Sequence, residues 1–170
     1  MLKPVMQDAL NEQINAELFS GYLYLSMAAY FESRNLKGMA NWMRVQEQEE
    51  RFHALKFYDY IVERGGTVVL GAIAAPETAW ASPLAAFQAA YEHELKVTAR
   101  INALVDLAMK ESDHATTAFL QWYVNEQVEE EASVDGVVQQ LKLGGDNSSA
   151  LFMIDKELAA RVFTPPAATA

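Results

Sequence analysis

The chain has 170 residues, 51% of them hydrophobic, with only 8 glycines and 5 prolines, a composition that suits one compact helical domain and argues against disorder. Its 13 basic against 23 acidic residues give a formal charge of -10, which repels nucleic acid and anionic membranes and favours cations as ligands. The lack of cysteine excludes disulfides, thiolate zinc sites, thiol nucleophiles and cysteine-held iron–sulfur centres, and with no apolar leader and no uncharged run of about 18 residues the chain is expected to be cytoplasmic and free of membrane.

A first helix is predicted from about Pro4 to Arg34, where Leu10, Ile14, Leu18, Leu25 and Phe31 recur at helical spacing and Pro4 suits a first turn. A second runs from about Met39 to Arg64 and is closed by Gly65-Gly66. The short link around Lys37-Gly38 makes the two an antiparallel hairpin. Thr67 to Ser82 breaks the period with Gly71 and Pro76, and Pro83 then opens a third helix to about Glu111. Asp113 suits the N-cap of a fourth, from about His114 to Leu143 and ended by Gly144-Gly145. The short Ser112-Asp113 link makes a second antiparallel hairpin.

At 1.5 Å per residue each long helix measures roughly 40 Å, and a connector of roughly 16 residues can stretch about 50 Å. The connector can therefore cross from end to end, leaving helices two and three parallel. A short fifth helix is expected from about Ser148 to Arg161, with Leu151, Ile154, Leu158 and Val162 on one stripe. That stripe either docks on its own bundle or is buried against other subunits. The expectation is one all-α domain: a four-helix bundle with one long crossover over about residues 4–144, a short C-terminal helix at 148–161, and a frayed tail at 164–170.

The chemistry lies on the stripes. Helix one places Leu10, Ile14, Glu17, Gly21 and Tyr24 on one face, and helix two places Trp42, Gln46, Glu50, His53, Phe57 and Tyr60. Helix three gives Phe87, Tyr91, Glu94, Thr98 and Ile101; helix four gives Phe119, Tyr123, Gln127, Glu130, Val134, Val137 and Leu141. Each polar insert sits a third to a half of the way along its helix, so all can converge at one level. An unpaired buried carboxylate costs several kcal/mol against a total stability of about 5–15. Between Lys110 and Lys142 there is no Lys or Arg to compensate, and Arg44, Arg51, Lys56 and Arg100 lie off the stripes. Bound metal is the better counter-charge. Oxygen-rich ligation with a single imidazole from Glu50-x-x-His53 favours iron or manganese, and the number of carboxylates exceeds what one ion needs, which points to a dinuclear site.

These residues carry a resemblance. From Asn15-Ala-Glu-Leu-Phe-Ser-Gly-Tyr-Leu-Tyr through Glu49-Glu-Arg-Phe-His to Gln127-Val-Glu-Glu-Glu, Leu143-Gly-Gly-Asp and Ile154-Asp-Lys-Glu-Leu, the chain resembles the bacterial non-haem ferritins over almost its whole length. The resemblance implies a ferritin-like four-helix bundle and an iron-storing ferroxidase that oxidises Fe²⁺ with O₂ or peroxide. It implies two irons per subunit: Glu17, Glu50 and His53 on the first, Glu50 bridging, Glu94 and Glu130 on the second, and Gln127 hydrogen-bonding nearby. It further implies a third iron at Glu49, Glu126, Glu129 and Glu130, aromatic electron sources at Tyr24 and Trp122, and a self-assembled hollow shell of 24 subunits.

Departures from related families sharpen this reading. Bacterioferritins repeat Glu-x-x-His on helix four, where this chain has Gln127-x-x-Glu130, and bear a haem-ligating Met where it has Phe52; haem is not expected. Rubrerythrin-type peroxidases need a cysteine-held iron. Animal ferritins line an iron channel with acidic residues at positions that here are Thr117 and Leu120, so the entry route is left open. Met27, Met39, Met43 and Met109 read as core filler, and His93 and His114 as surface or terminus residues. The block Glu129 to Glu131 is ordinarily a solvated face, with only Glu130 on the stripe. The apolar run Thr67 to Ile73 covers either a partner subunit or its own bundle.

Overall fold

The structure, a computed structural model, describes residues 2–165 and is built from α1 (Pro4–Ser33), α2 (Lys37–Glu63), α3 (Pro83–Lys110), α4 (His114–Gly144) and α5 (Ser148–Leu158). The residues 166–170 of the expected tail lie outside the described part.

The tight links come from residues that accept left-handed backbone. Asn35 (φ 60) turns the chain between α1 and α2, where Leu36 N–H returns to the Phe31 carbonyl at 3.0 Å, and Ser112 (φ 54) does the same between α3 and α4. Gly65 (φ 70) closes α2, with Gly66 N–H donating to Ile61 O at 2.8 Å. Pro83 opens α3 behind Ser82, whose hydroxyl caps Ala85 N–H at 3.1 Å; Asp113 caps α4 at Thr116 N–H, also 3.1 Å. Helix α2 starts at Lys37, two residues earlier than its periodicity indicates.

The crossover lies along α1. Gln7 Oε1 accepts from Thr67 N–H (2.8 Å), and Asn11 takes both Thr67 O (3.0 Å) and Val69 N–H (2.8 Å). Further along, Asn15 Nδ2 donates to Ala72 O (3.2 Å) and Ser26 Oγ to Glu77 O (2.5 Å). Contacts that advance together on both segments carry the chain from one end of α1 to the other, so α3 runs antiparallel to α1 and parallel to α2. The crossover packs on its own bundle through these polar contacts while Val69 and Leu70 stay exposed.

Helix α5 docks on α2 and the end of α4. Leu158 is buried and Leu151 and Ile154 pack against the core beside it. Val162, which the stripe includes, is 76% exposed, as are Phe152 and Met153 at about 70%. The helix stops at Leu158 because Asn41 Nδ2 on α2 takes the carbonyls of Leu158 (3.3 Å), Ala159 (3.4 Å) and Arg161 (2.9 Å), which draws the chain out of helical register. Two further readings are corrected: Leu25 (46%) and Met109 (58%) face outward, whereas Met27, Met39 and Met43 are fully buried. Leu120 is also buried in the core. Among the described residues no helix is long and apolar enough to cross a membrane.

The core is split in two. One apolar cluster gathers Tyr24, Phe31, Met43, Phe87 and Val138; the other gathers Leu10, Ile14, Phe57, Ile101 and Tyr123. Between them lies a layer of buried polar side chains.

Candidate metal centre

That layer holds Glu17, Gln46, Glu50, His53, Glu94, Gln127 and Glu130, each no more than 4% exposed. The helical steps of three and four that keep the flanking apolar residues inward carry these residues inward too. Glu17, Glu50 and His53 can each offer one ligand atom with all three atoms within 4.8 Å of one another, and so can His53, Glu126 and Glu130. His53 links the groups: Nδ1 lies 3.6 Å from Glu50 Oε2 and Nε2 lies 4.0 Å from Glu126 Oε1.

Glu17 and Glu50 have hydrogen bonds on one oxygen only, whereas Glu94 accepts on both. Glu17 Oε1 accepts from Gln13 Nε2 at 2.8 Å, and Gln46 Nε2 serves Glu130 Oε2 at 2.6 Å and Glu50 Oε1 at 3.2 Å. Glu94 accepts from the Tyr24 hydroxyl and from Gln127 Nε2 at 3.2 Å. Glu17 Oε2 and Glu50 Oε2, both buried, have no partner among the described residues. Buried carboxylate oxygens are ordinarily satisfied, so two orphaned ones in one group mark a place for a cation.

Electrostatics say the same. Burial pushes the carboxyls of Glu17 and Glu50 well above the ordinary carboxylate range, and the mutual closeness of the acids adds to it: Glu50 acts on Glu17, while Glu94 and Glu130 act on Glu50. Burial also raises Glu94, opposed by the bonds from Tyr24 and Gln127, and pushes Glu130 up to about 8, with Glu94 adding to the effect. Burial thus favours the protonated form of these acids, and a divalent ion bound among them would have to displace those protons.

The structure brings the remaining predicted residues together less completely. Glu126 is half-buried and within reach of His53 and Glu130. Glu49 is half-buried but already engaged, its Oε2 at 2.5 Å from Arg161 Nη2. Glu129 is exposed and joins neither ligand group among the described residues. Trp122 packs edge-on to His53 with ring centroids 5.4 Å apart, and Lys56 sits 4.7 Å over its ring.

Several contacts were not read from the sequence. Arg100, set aside for lying off the stripes, reaches Gln13 Oε1 at 3.0 Å, and Arg161 reaches Gln46 Oε1 at 2.9 Å from beyond α5. The signal available was Gln13 four residues before Glu17 and Gln46 four before Glu50, one turn away on the same face. His93 is partly buried rather than free on the surface: its Nε2 lies 2.7 Å from Ser20 Oγ, and its ring packs against Phe19 and Tyr24. Burial, reinforced by Lys96, lowers its pKa to about 4, so the ring is neutral at pH 7.

A bundle with a crossover and a mid-core layer of carboxylates around one histidine defines the ferritin-like class of helical metal-site proteins. The family profile described as the ferritin-like domain matches residues 7–144. A bacterial non-haem ferritin of Bacteroides fragilis is 45% identical over 161 residues, covering 95% of this chain and all of the relative. One of Staphylococcus saprophyticus is 44% identical over 163 residues, covering 96% and 98%. The open-pore ferritin of the archaeon Archaeoglobus fulgidus superposes with a TM-score of 0.95 at 57% identity, covering 95% of this chain and all of that one. A closed form engineered from the same ferritin gives 0.96 at 57%, covering 96% and 100%. The chain belongs to the ferritin family, and it matches both bacterial non-haem ferritins and an archaeal ferritin over nearly their full length.

Proposed function

We propose that the protein stores iron and is a ferroxidase: it binds Fe²⁺ in pairs within the bundle, oxidises the pair and passes ferric iron to a mineral held inside a shell of its own copies. The observation that carries this reading is the pair of orphaned oxygens, Glu17 Oε2 and Glu50 Oε2, beside His53 in a layer where four carboxylates are buried with no Lys or Arg among the buried residues.

In this reading Glu17, Glu50 and His53 take one ferrous ion, Glu94 and Glu130 take the other, and Glu50 bridges. Gln127 holds Glu94 by hydrogen bond. Each Fe²⁺ yields one electron; O₂ takes the two electrons and two protons and leaves as H₂O₂, and peroxide serves as the alternative oxidant. Carboxylates favour the step because Fe³⁺, with its higher charge, gains more from anionic oxygen than Fe²⁺ does. Tyr24, hydrogen-bonded to Glu94, is placed to supply a further electron, with Trp122 beside His53 as a second source. A third iron would bind at Glu49, Glu126, Glu129 and Glu130, which requires Glu49 to leave Arg161. The shell, read as 24 copies in the cytoplasm, is supported by the exposed apolar residues of the crossover and α5 and by membership of the family.

The test is anaerobic Fe²⁺ titration followed by admission of O₂. Saturable binding near two irons per chain, rapid oxidation, and multi-turnover accumulation of ferric mineral in a large assembly are expected. No saturable binding sinks the metal reading; a small oligomer that oxidises iron but accumulates no mineral sinks storage. Glu130→Ala should slow the rapid phase, and wild-type kinetics in that variant would remove Glu130 from the site.

A further inference from the structure

Two buried glutamines that the proposed ligand set does not use are held in the same way. Arg100 Nε donates to Gln13 Oε1 at 3.0 Å, and Gln13 Nε2 donates to Glu17 Oε1 at 2.8 Å. Arg161 Nη1 donates to Gln46 Oε1 at 2.9 Å, and Gln46 Nε2 reaches Glu130 Oε2 at 2.6 Å and Glu50 Oε1 at 3.2 Å. A guanidinium can only donate, so it accepts only the amide orientation with the oxygen toward it, which leaves the NH₂ facing the carboxylates. Without the arginine, the amide is free to turn its oxygen toward the ligands.

Arg161 is the more consequential of the two because it comes from outside the bundle, three residues past the end of α5. Its fork is held at several points. Nη2 lies 2.5 Å from Glu49 Oε2, Nη1 also faces Trp42 O at 3.4 Å, the guanidinium lies 4.3 Å over the Trp42 ring, and its carbonyl is anchored by Asn41 at 2.9 Å. So fixed, it is a rigid donor rather than a mobile surface charge.

We propose that Arg161 is a positioning residue of the metal centre: acting through Gln46, it holds the carboxylates of Glu50 and Glu130 in the arrangement that receives two divalent ions, and it thereby makes the docked C-terminal segment part of the site. This rests on the two-iron reading given above. The competing role, a cation that merely neutralises Glu49, has the opposite sign, since removing a positive charge beside a cation site tightens binding, whereas removing an outer partner of metal ligands typically costs 10- to 100-fold in affinity.

The experiment is anaerobic Co²⁺ titration of the assembled protein, read by calorimetry and by the visible d–d absorption of bound Co²⁺. In the wild-type protein two tight ions per chain are expected; fewer would overturn the two-metal reading and this inference with it. With two bound, Arg161→Ala should weaken those first two ions about tenfold or more and alter the d–d bands. Arg161→Lys, which replaces the two fork nitrogens that separately face Gln46 and Glu49 by a single one, should stay weakened. Gln46→Leu, which leaves α5 seated through Asn41, should show the same loss, and the Arg161→Ala/Gln46→Leu double variant should show no more than either. Unchanged or tighter binding in Arg161→Ala, wild-type behaviour of Arg161→Lys, or losses that add in the double variant would overturn the proposal while leaving the two-metal reading intact. Should Arg161→Ala fail to assemble, Gln46→Leu decides alone, and wild-type affinity and spectrum there overturn it.

Discussion

The hydroxyl of Tyr24 on α1 donates to Oε1 of Glu94 on α3. Both residues are fully buried, and burial together with the neighbouring Glu94 raises the phenol's pKa well above its ordinary value. The phenol therefore keeps its proton, and if Tyr24 gives up an electron as proposed, Glu94 is the proton acceptor in contact.

Tyr24→Phe keeps the ring packed edge-on to His93 but strips Glu94 of a donor. The rapid phase of Fe²⁺ oxidation should slow about tenfold, the low end of what loss of an outer partner of a metal ligand costs. Freeze-quench electron paramagnetic resonance after O₂ mixing should show a tyrosyl signal in the wild-type protein and none in the variant. Equal signals in both would clear Tyr24 of electron donation.

The buried acids set a pH dependence with a definite sign. Their folded-state pKa values lie above the ordinary value, Glu130 at about 8 against 4.5, so the native state holds protons that the unfolded chain has released. Stability from these groups is full below about pH 4.5 and is lost as pH rises toward 8. Asp113, lowered through Thr116 and Arg64 despite burial, works the other way, its contribution being lost in acid. Thermal melts of metal-free protein should fall from about pH 5 to about pH 8, and divalent metal should restore Tm most at the alkaline end, with proton release measurable in weak buffer. A metal-free Tm that climbs across that range would contradict the burial of protonated acids.

The acids around the centre should divide by burial. Glu50, buried and within reach of both proposed ions, should be indispensable, so Glu50→Ala is expected to slow rapid oxidation by two orders of magnitude or more, on the order of 3 kcal/mol in the barrier. Glu129 is exposed, and Glu129→Ala should leave that phase within about twofold, on the order of 0.4 kcal/mol of barrier change at most. Stopped-flow absorbance at two Fe²⁺ per chain distinguishes them; comparable losses in both variants would place Glu129 closer to the pair than it stands.

Gly38 is needed because α5 crosses directly over it. A Cβ there would sit 1.5 Å from Asp155 O, where the Asp155 carboxylate also accepts Met39 N–H at 2.9 Å. Gly38→Ala should cost about 1–3 kcal/mol by overpacking and loosen α5 while the bundle stays folded. Limited proteolysis should then cut between α4 and α5 faster than in the wild type; unchanged protection would mean that α5 accommodates the methyl without shifting.

Much of the fold was legible because its signals are local. Pro4, Pro83, Asp113 and Gly65 mark helix ends by their own backbone chemistry, and the length of Thr67 to Ser82 implies a crossover. The boundaries missed were those fixed by distant partners. Arg161 was read as helical, yet Asn41, 120 residues away, takes its carbonyl and ends α5 at Leu158. Leu25 and Met109 were read as core from spacing or residue type alone, and neither says which side of a helix finds a neighbour. His93 looked like a surface residue because burial by Ser20, Phe19 and Tyr24 depends on α1 lying against α3.

By itself the sequence determined the carboxylate stripe: steps of three and four bring Glu17, Glu50 with His53, Glu94, and Gln127 with Glu130 to the inner faces of four helices, because a helix repeats every 3.6 residues. Only the tertiary structure decided what those carboxylates touch. The register between helices selects Tyr24 for Glu94, sets Gln46 between Glu50 and Glu130, and leaves one oxygen each of Glu17 and Glu50 without a partner. It also brings Arg100 and Arg161 to the two glutamines, which no helical period can announce, because a hydrogen bond between distant segments depends on where the chain returns rather than on the spacing along it.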